Sequence, residues 1–385
     1  MARIEVDCER IRRNAAAVVA MCAATGIEVA GVTKGCCGEP QVARAMLAGG
    51  VAQLADARLA NVRRLRDAGI TSDVLLLRGP ALSEADEVVR LTQYSLNSEI
   101  EVVRALARAA QAQGRSHGVV LMIETGDRRE GVMPEDAVAT AAEIAALPGI
   151  ELLGVGTNLS CIGGVLCTVE NQQLVVDTAE QIERALGIRL RWISGGHTGS
   201  LPWVNEHTLP ARINHLRVGE GILIGTEQST SYELPVPHRD AFRVYAEVIE
   251  LKTKPSLPEG PLGPDAFMNI PHWEDLGPRR RAIVALGEHD LRTSCLLPRR
   301  PGVSIVGASS DHLVLDVSEA EPPIRLGEEI EFNVLYAAMA TAWASSCVAN
   351  VVRPIAGQEP RELWPERAAG GDPPTITHRT RKEIT

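Results

Sequence analysis

Between Ile27 and Gly225 eight short apolar stretches alternate with segments of helical periodicity, and few folds tolerate that rhythm. The stretches are Ile27–Lys34, Val51–Ala57, Asp73–Leu77, Tyr94–Asn97, Gly118–Ile123, Glu151–Thr157, Leu190–Ile193 and one near Leu216. Between them lie helices such as Gln41–Ala48, closed by Gly49-Gly50, and one carrying Leu174, Val175, Ala179, Ile182 and Leu186 on a single side. Eight βα units are what a closed parallel barrel needs. An earlier helix, with Ile11, Ala15, Val18, Val19 and Cys22 at helical spacing, follows Ile4-Glu5-Val6-Asp7.

After Gly225 the pattern changes. Tyr245–Leu251, Ala282–Leu286, Val303–Val317 and Glu328–Val334 read as strands separated by Pro/Gly-rich turns. The expected fold is α/β, a (β/α)8 TIM-like barrel over residues 8–230 followed by a mostly β C-terminal domain built from 1–7 plus 231–353. Residues 354–385, polar and rich in proline, read as an extended or disordered tail.

Charge narrows the partner. The formal net charge of -10 is spread without a long acidic or basic run, so no nucleic-acid footprint or membrane-surface helix is expected, and a small molecule is. No stretch is long and apolar enough to span a bilayer, and the start lacks an apolar signal core. Eight scattered cysteines read as reduced thiols, so a cytoplasmic location is expected.

In such a barrel the chemistry gathers at the C-terminal ends of the strands. Lys34 closes the first strand, Arg129 follows the fifth, Asn158 the sixth, His197 and Thr198 the seventh, and Arg217, Gly219 and Glu220 the eighth. Taken singly, a strand-end lysine or a tight-turn glycine is an ordinary structural feature. Together, Gly195-Gly196-His197-Thr198-Gly199 and Arg217-Val218-Gly219-Glu220-Gly221 offer backbone N–H groups to a phosphate where these barrels usually hold one. A lysine amine, a phosphate cradle and an arginine on one rim suggest pyridoxal 5'-phosphate.

Here the sequence resembles the alanine racemase-type (fold type III) enzymes, and among them the ornithine racemase-like amino-acid racemases. The ordered motifs are Glu5-Val6-Asp7, Val32-Thr33-Lys34, Thr125-Gly126-Asp127-Arg128-Arg129-Glu130-Gly131, Thr157-Asn158-Leu159-Ser160-Cys161, Ser194-Gly195-Gly196-His197-Thr198, Ile213 to Glu220, and Gly307 to Leu313. The resemblance implies that Lys34 is the Schiff-base lysine and one of the two bases. Arg217 would sit beside the pyridine nitrogen, and Arg129 near the phenolic oxygen and the substrate carboxylate. Asn158 and His197 would border the cofactor, while Thr198, Gly219, Glu220 and Tyr336 would hold its phosphate. Ser310 and Cys161 join Arg129 as expected substrate contacts. It also implies a head-to-tail homodimer with shared active sites and no metal.

Departures from the family pattern bear on the substrate. The family's second base is a tyrosine in the β domain, but Gly260 to Phe267 contains none. Asp265, Asp311 and His312 are the candidates left for that role. Cys37-Gly38 occupy the region of another family tyrosine, so a substrate longer than alanine is expected, and Met122 stands where many alanine racemases carry a lysine supporting the arginine, so a different position is expected for Arg129. Ornithine-like amino acids fit, with Glu39, Asp127 and Glu130 as candidate ammonium partners. Two alternatives use the same fold. A metal-dependent D-amino-acid lyase would need a His-x-Cys pair, yet His289 is followed by Asp290-Leu291 and His312 by Leu313-Val314. A non-catalytic pyridoxal-phosphate protein would end at the barrel.

Overall fold

The computed structural model describes residues 2–355 and 361–363. The chain opens with strand β1 (Arg3–Asp7) and the helix Cys8–Ala23, whose first turn is capped by the Asp7 carboxylate accepting from Arg10 N at 3.1 Å. Eight strands then follow at the expected places: β2 (Glu28–Val32), β3 (Gln53–Asp56), β4 (Val74–Leu76), β5 (Tyr94–Asn97), β6 (His117–Met122), β7 (Ile150–Gly156), β8 (Trp192–Ser194) and β9 (His215–Val218). They form a closed, all-parallel barrel, sealed by β2 against β9 with Gly31 opposite Val218.

Side chains fill the barrel, as in other (β/α)8 folds. Ala30, Val32, Ala55, Leu75, Leu96, Val120, Met122, Leu153 and Trp192 make its interior core. Small residues make close strand approach possible: a Cβ on Gly154 would lie 1.9 Å from the Trp192 carbonyl oxygen. The interior below the rim is therefore solid, and open space is left at the C-terminal end.

The remaining strands are β10 (Phe242–Pro255), β11 (Pro278–Val284), β12 (Leu296–Pro298), β13 (Ser304–Ala308), β14 (Leu313–Asp316), β15 (Glu329–Val334), β16 (Ala349–Arg353) and β17 (Arg361–Leu363). They form a sheet in the order β13-β14-β11-β10-β1-β16-β17, with β15 joined to β10 and β12. One core of Ile4, Val6, Ile11, Ile222, Phe242, Val244 and Met339 joins this sheet to the barrel helices. Among the described residues no helix is long and apolar enough to cross a membrane.

One reading of the sequence needs correction, and three elements went unread. Val303–Val317 is a hairpin of β13 and β14, because Ser309-Ser310-Asp311-His312 turns the chain. Tyr336–Ala344 is a helix; its nearly all-apolar composition, Tyr-Ala-Ala-Met-Ala-Thr-Ala-Trp-Ala, shows little helical periodicity. Leu296–Pro298 and Ala349–Arg353 are strands too short to show alternation. Of the stretch 354–385 expected to be an extended or disordered tail, Arg361–Leu363 is a strand antiparallel to β16, and residues 356–360 and 364–385 lie outside the described residues.

Candidate active site

A cavity of about 600 Å³ opens at the C-terminal end of the barrel. Its walls include Lys34, Arg129, Glu130, Asn158, Cys161, His197, Thr198, Arg217, Gly219, Glu220 and Tyr336, so eleven of the seventeen candidate residues face one space.

Lys34 does not end a strand. β2 stops at Val32, and Lys34 begins a 3-10 turn, Lys34–Cys36. The turn is anchored from beneath, where Thr33 Oγ1 donates to Asp56 Oδ2 at 2.7 Å while Asp56 also accepts from Asn61 Nδ2 at 2.9 Å and Arg58 N at 3.0 Å. The Lys34 side chain is accessible because it projects into the cavity, yet protein surrounds it. Burial, then the Arg129 and Arg217 charges, lower its pKa, partly offset by Cys161 and Asp56, so the amine gives up its proton more readily than an ordinary lysine.

Arg217 is buried in the cavity wall and is held through two of its three guanidinium nitrogens. Its Nε donates to Ser194 Oγ at 3.2 Å and its Nη2 to the Thr157 carbonyl oxygen. Ser194 Oγ in turn lies 2.8 Å from His215 Nδ1, and His215 Nε2 lies 3.0 Å from Gln53 Nε2. Burial pushes the His215 pKa to about 3, so the ring is neutral. Turning the Gln53 amide would satisfy its otherwise partnerless buried Oε1 with His215 Nε2–H, leaving Nδ1 to accept from Ser194. Burial lowers the Arg217 pKa to about 10, which still leaves a cation at neutral pH.

The loops after β8 and β9 are tied together. Gly221 N donates to Thr198 Oγ1 at 3.2 Å. His197 uses both ring nitrogens, Nε2 donating to the Leu159 carbonyl oxygen at 2.6 Å and Nδ1 accepting from Gly199 N at 3.1 Å, which fixes the neutral tautomer. Glu220 Oε1 accepts from Thr226 Oγ1 at 2.7 Å, and burial raises its pKa to about 7. Tyr336 enters from the first turn of its helix, where burial raises its pKa. Gly35 makes room for it: a Cβ there would meet Tyr336 Cε2 at 3.1 Å and Met339 Cε at 2.8 Å.

On the opposite wall, Arg129 forms a two-point ion pair with Glu130, its Nε and Nη2 donating to the two carboxylate oxygens. With its amide turned, Asn158 Oδ1 accepts from Arg129 Nη1 at 3.0 Å. The loop carrying Cys161 is pinned by Asp127, which accepts from the backbone N–H groups of Cys161, Ile162 and Gly163 at 3.3, 3.0 and 3.1 Å.

Asp265, Ser310, Asp311 and His312 do not line this chain's cavity. Asp265 is exposed and caps its own loop, accepting from Phe267 N and Asn269 N at 2.9 and 2.8 Å. Exposed Asp311 lies 4.0 Å from His289 Nδ1, and exposed His312 Nδ1 lies 3.5 Å from Ser309 Oγ. Ser310 is half-buried in the same β13–β14 turn. Cys37 and Gly38 are not cavity walls either; Gly38 has φ +65° and sits against Asn61, where a side chain would collide. The support of Arg217 by Ser194, His215 and Gln53 was not expected from the sequence, although His215 and Arg217 share a strand face by simple alternation.

Three comparisons bear on this site. Residues 6–227 match the family described as Alanine racemase, N-terminal domain. The chain is 35% identical over 347 residues to the ornithine racemase of Acetoanaerobium sticklandii, covering 90% of this chain and 98% of that protein. It is 36% identical over 352 residues to the lysine racemase of Thermotoga maritima, covering 91% and 98%. In fold it is similar to alanine racemase of Clostridium difficile 630, with a TM-score of 0.70, 18% identity and coverage of 94% and 98%.

Proposed function

Because the chain belongs to the alanine racemase family, we propose that it is a pyridoxal 5'-phosphate-dependent racemase of a free amino acid, acting on ornithine-like substrates rather than strictly on alanine. The single observation behind this is the convergence of Lys34, Arg129 and Arg217 on one cavity, beside hydroxyls of Thr198 and Tyr336. With Arg78 the cavity wall carries four cations, and with Ser98 and Ser160 four hydroxyls, against two carboxylates, Glu130 and Glu220, the second partly protonated near neutrality. That donor set suits a phosphate and a substrate carboxylate.

Lys34 would hold the cofactor covalently, Thr198, Tyr336 and the backbone of Gly219 and Glu220 would hold its phosphate, and Arg217 its ring nitrogen. When bound, the cofactor accepts the electron pair left by the departing α-proton. Lys34 Nζ takes or returns that proton on one face, helped by its lowered pKa. Arg217 remains a cation with its Nε and Nη2 protons committed to Ser194 and Thr157, so it does not release a proton toward the ring nitrogen. Arg129 binds the substrate carboxylate.

The proton on the other face would come from a second copy of the chain, through Asp265, Asp311 or His312, with Ser310 near the substrate. The excursion between β10 and β11 supports this, since it exposes Leu262, Met268, Ile270 and Leu276. The eight free cysteines are compatible with the cytoplasmic location expected from the sequence.

Racemisation is favoured over metal-dependent cleavage or mere cofactor storage because the two relatives described above, 35% and 36% identical over nine-tenths of the chain, are named racemases. The test is Lys34→Ala in protein reconstituted with pyridoxal phosphate. The variant should lose both the visible absorbance of the lysine-bound cofactor and α-proton exchange with amino acids in deuterated water. Exchange at the wild-type rate would overturn the assignment.

A further inference from the structure

Three carboxylates near the rim could grip a substrate ammonium, and the structure separates them. Glu39 is buried as the cap of the helix Pro40–Ala48, accepting from Gln41 N at 3.1 Å. Asp127 is 2% exposed and is occupied by three backbone N–H groups of the Cys161 loop. Glu130 alone of the three lines the cavity. Its charge also acts on Arg217 deeper in the same space.

What Glu130 does there is unusual for a site that must bind a carboxylate. It occupies Arg129, the cation expected to receive the substrate, with both of its oxygens. An amino acid can bind its carboxylate across the Nε–Nη2 edge of Arg129 only by displacing this internal partner. For a neutral amino acid the exchange makes one ion pair and leaves Glu130 unpaired in a half-buried wall, at 30% side-chain exposure. A dibasic amino acid breaks one pair and makes two.

Resting on the racemase reading above, we propose that Glu130 is the specificity-determining residue: the substrate's distal ammonium replaces Arg129 on Glu130 as the substrate's carboxylate replaces Glu130 on Arg129. The Arg129–Glu130 pair thus occupies in advance the two charges of the substrate. The other cavity carboxylate, Glu220, is held by Thr226 on the phosphate side and is a poor anionic partner near neutrality. The pair explains selection against small neutral amino acids without a narrow cavity.

The experiment compares ornithine with norleucine, which has a methyl group in place of the distal ammonium, on the reconstituted enzyme. Two readouts are taken for the wild type, Glu130→Gln and Glu130→Asp: kcat and KM for α-proton exchange, and calorimetric Kd with racemic titrants, whose interconversion releases no heat. Glu130→Gln should cut the ornithine preference at least tenfold, through KM and Kd rather than kcat, and tighten norleucine as Arg129 is freed. Glu130→Asp should keep the direction of the preference. An unchanged ornithine-to-norleucine ratio in Glu130→Gln overturns the proposal and leaves the racemase reading standing, as does a wild type that exchanges both amino acids equally well. If the wild type exchanges no amino acid at all, the racemase reading falls; an unchanged Kd ratio would still count against Glu130.

Discussion

Arg217 illustrates how much of this site is set by residues one layer back. Ser194, His215 and Gln53 hold its guanidinium from behind, with the His215 ring stacked on Trp192 at 4.8 Å between centroids. Glu220 carries a measurable consequence. Its folded pKa of about 7 lies above the ordinary carboxylate value because burial disfavours the charge. The folded chain therefore holds this proton more tightly than the unfolded chain does, and stability falls as pH rises from about 4.5 to about 7. Glu220→Gln should stabilise the cofactor-free protein by up to about 3 kcal/mol at pH 8 and hardly at all at pH 4, as read from thermal melts at both values. Lys34, Thr198 and Arg217 were legible in the sequence because strand ends in a barrel face one way. The pairing of Arg129 with its neighbour Glu130 was not, since adjacency in sequence does not say whether two side chains turn toward each other.

Elements place these residues, and one loop does so conspicuously. Residues 158–168 follow β7 without regular structure and bring Asn158, Ser160 and Cys161 to the cavity. Asp127 holds the loop; burial works against its charge, but the backbone N–H groups of Cys161, Ile162 and Gly163 outweigh that and keep its pKa low. Asp127→Ala should leave those donors unsatisfied, at a cost of about 1–3 kcal/mol in chemical denaturation, and should raise substrate KM more than it lowers kcat. The barrel itself was readable from its eight repeats, whereas the helix Tyr336–Ala344 was hidden because its exposed positions, Ala337, Thr341 and Ala344, are nearly as apolar as its buried ones, so the period is lost. The hairpin at β13–β14 was merged into one strand for a related reason: its turn residues, two serines, an aspartate and a histidine, contain no glycine or proline.

At the scale of the whole molecule, barrel and sheet share one core, so they should unfold together. The exposed apolar side chains between β10 and β11, and the position of Asp265, Asp311 and His312 away from their own cavity, give a prediction about assembly. Specific activity should fall on dilution in step with dissociation of a dimer in analytical ultracentrifugation, and an active, monodisperse monomer would contradict the shared site. His215 and His117, with pKa values pressed to about 3 and about 4 by burial, are neutral in the folded barrel. They contribute stability above pH 6.5 that is lost as pH falls toward those values.

The position of β1 has a consequence for how the chain is made. It emerges from the ribosome before any of the barrel, yet its neighbours in the sheet are β10, which pairs Ile4 with Val244, and β16, which pairs Ile4 with Asn350. At roughly 5–20 residues per second, the second of these arrives tens of seconds later. In that interval the barrel can close and β1 can pair with β10, while its other edge waits for β16. A nascent chain arrested before Ala349 would hold a finished barrel and an open strand edge, the form in which chaperones or aggregation would meet it.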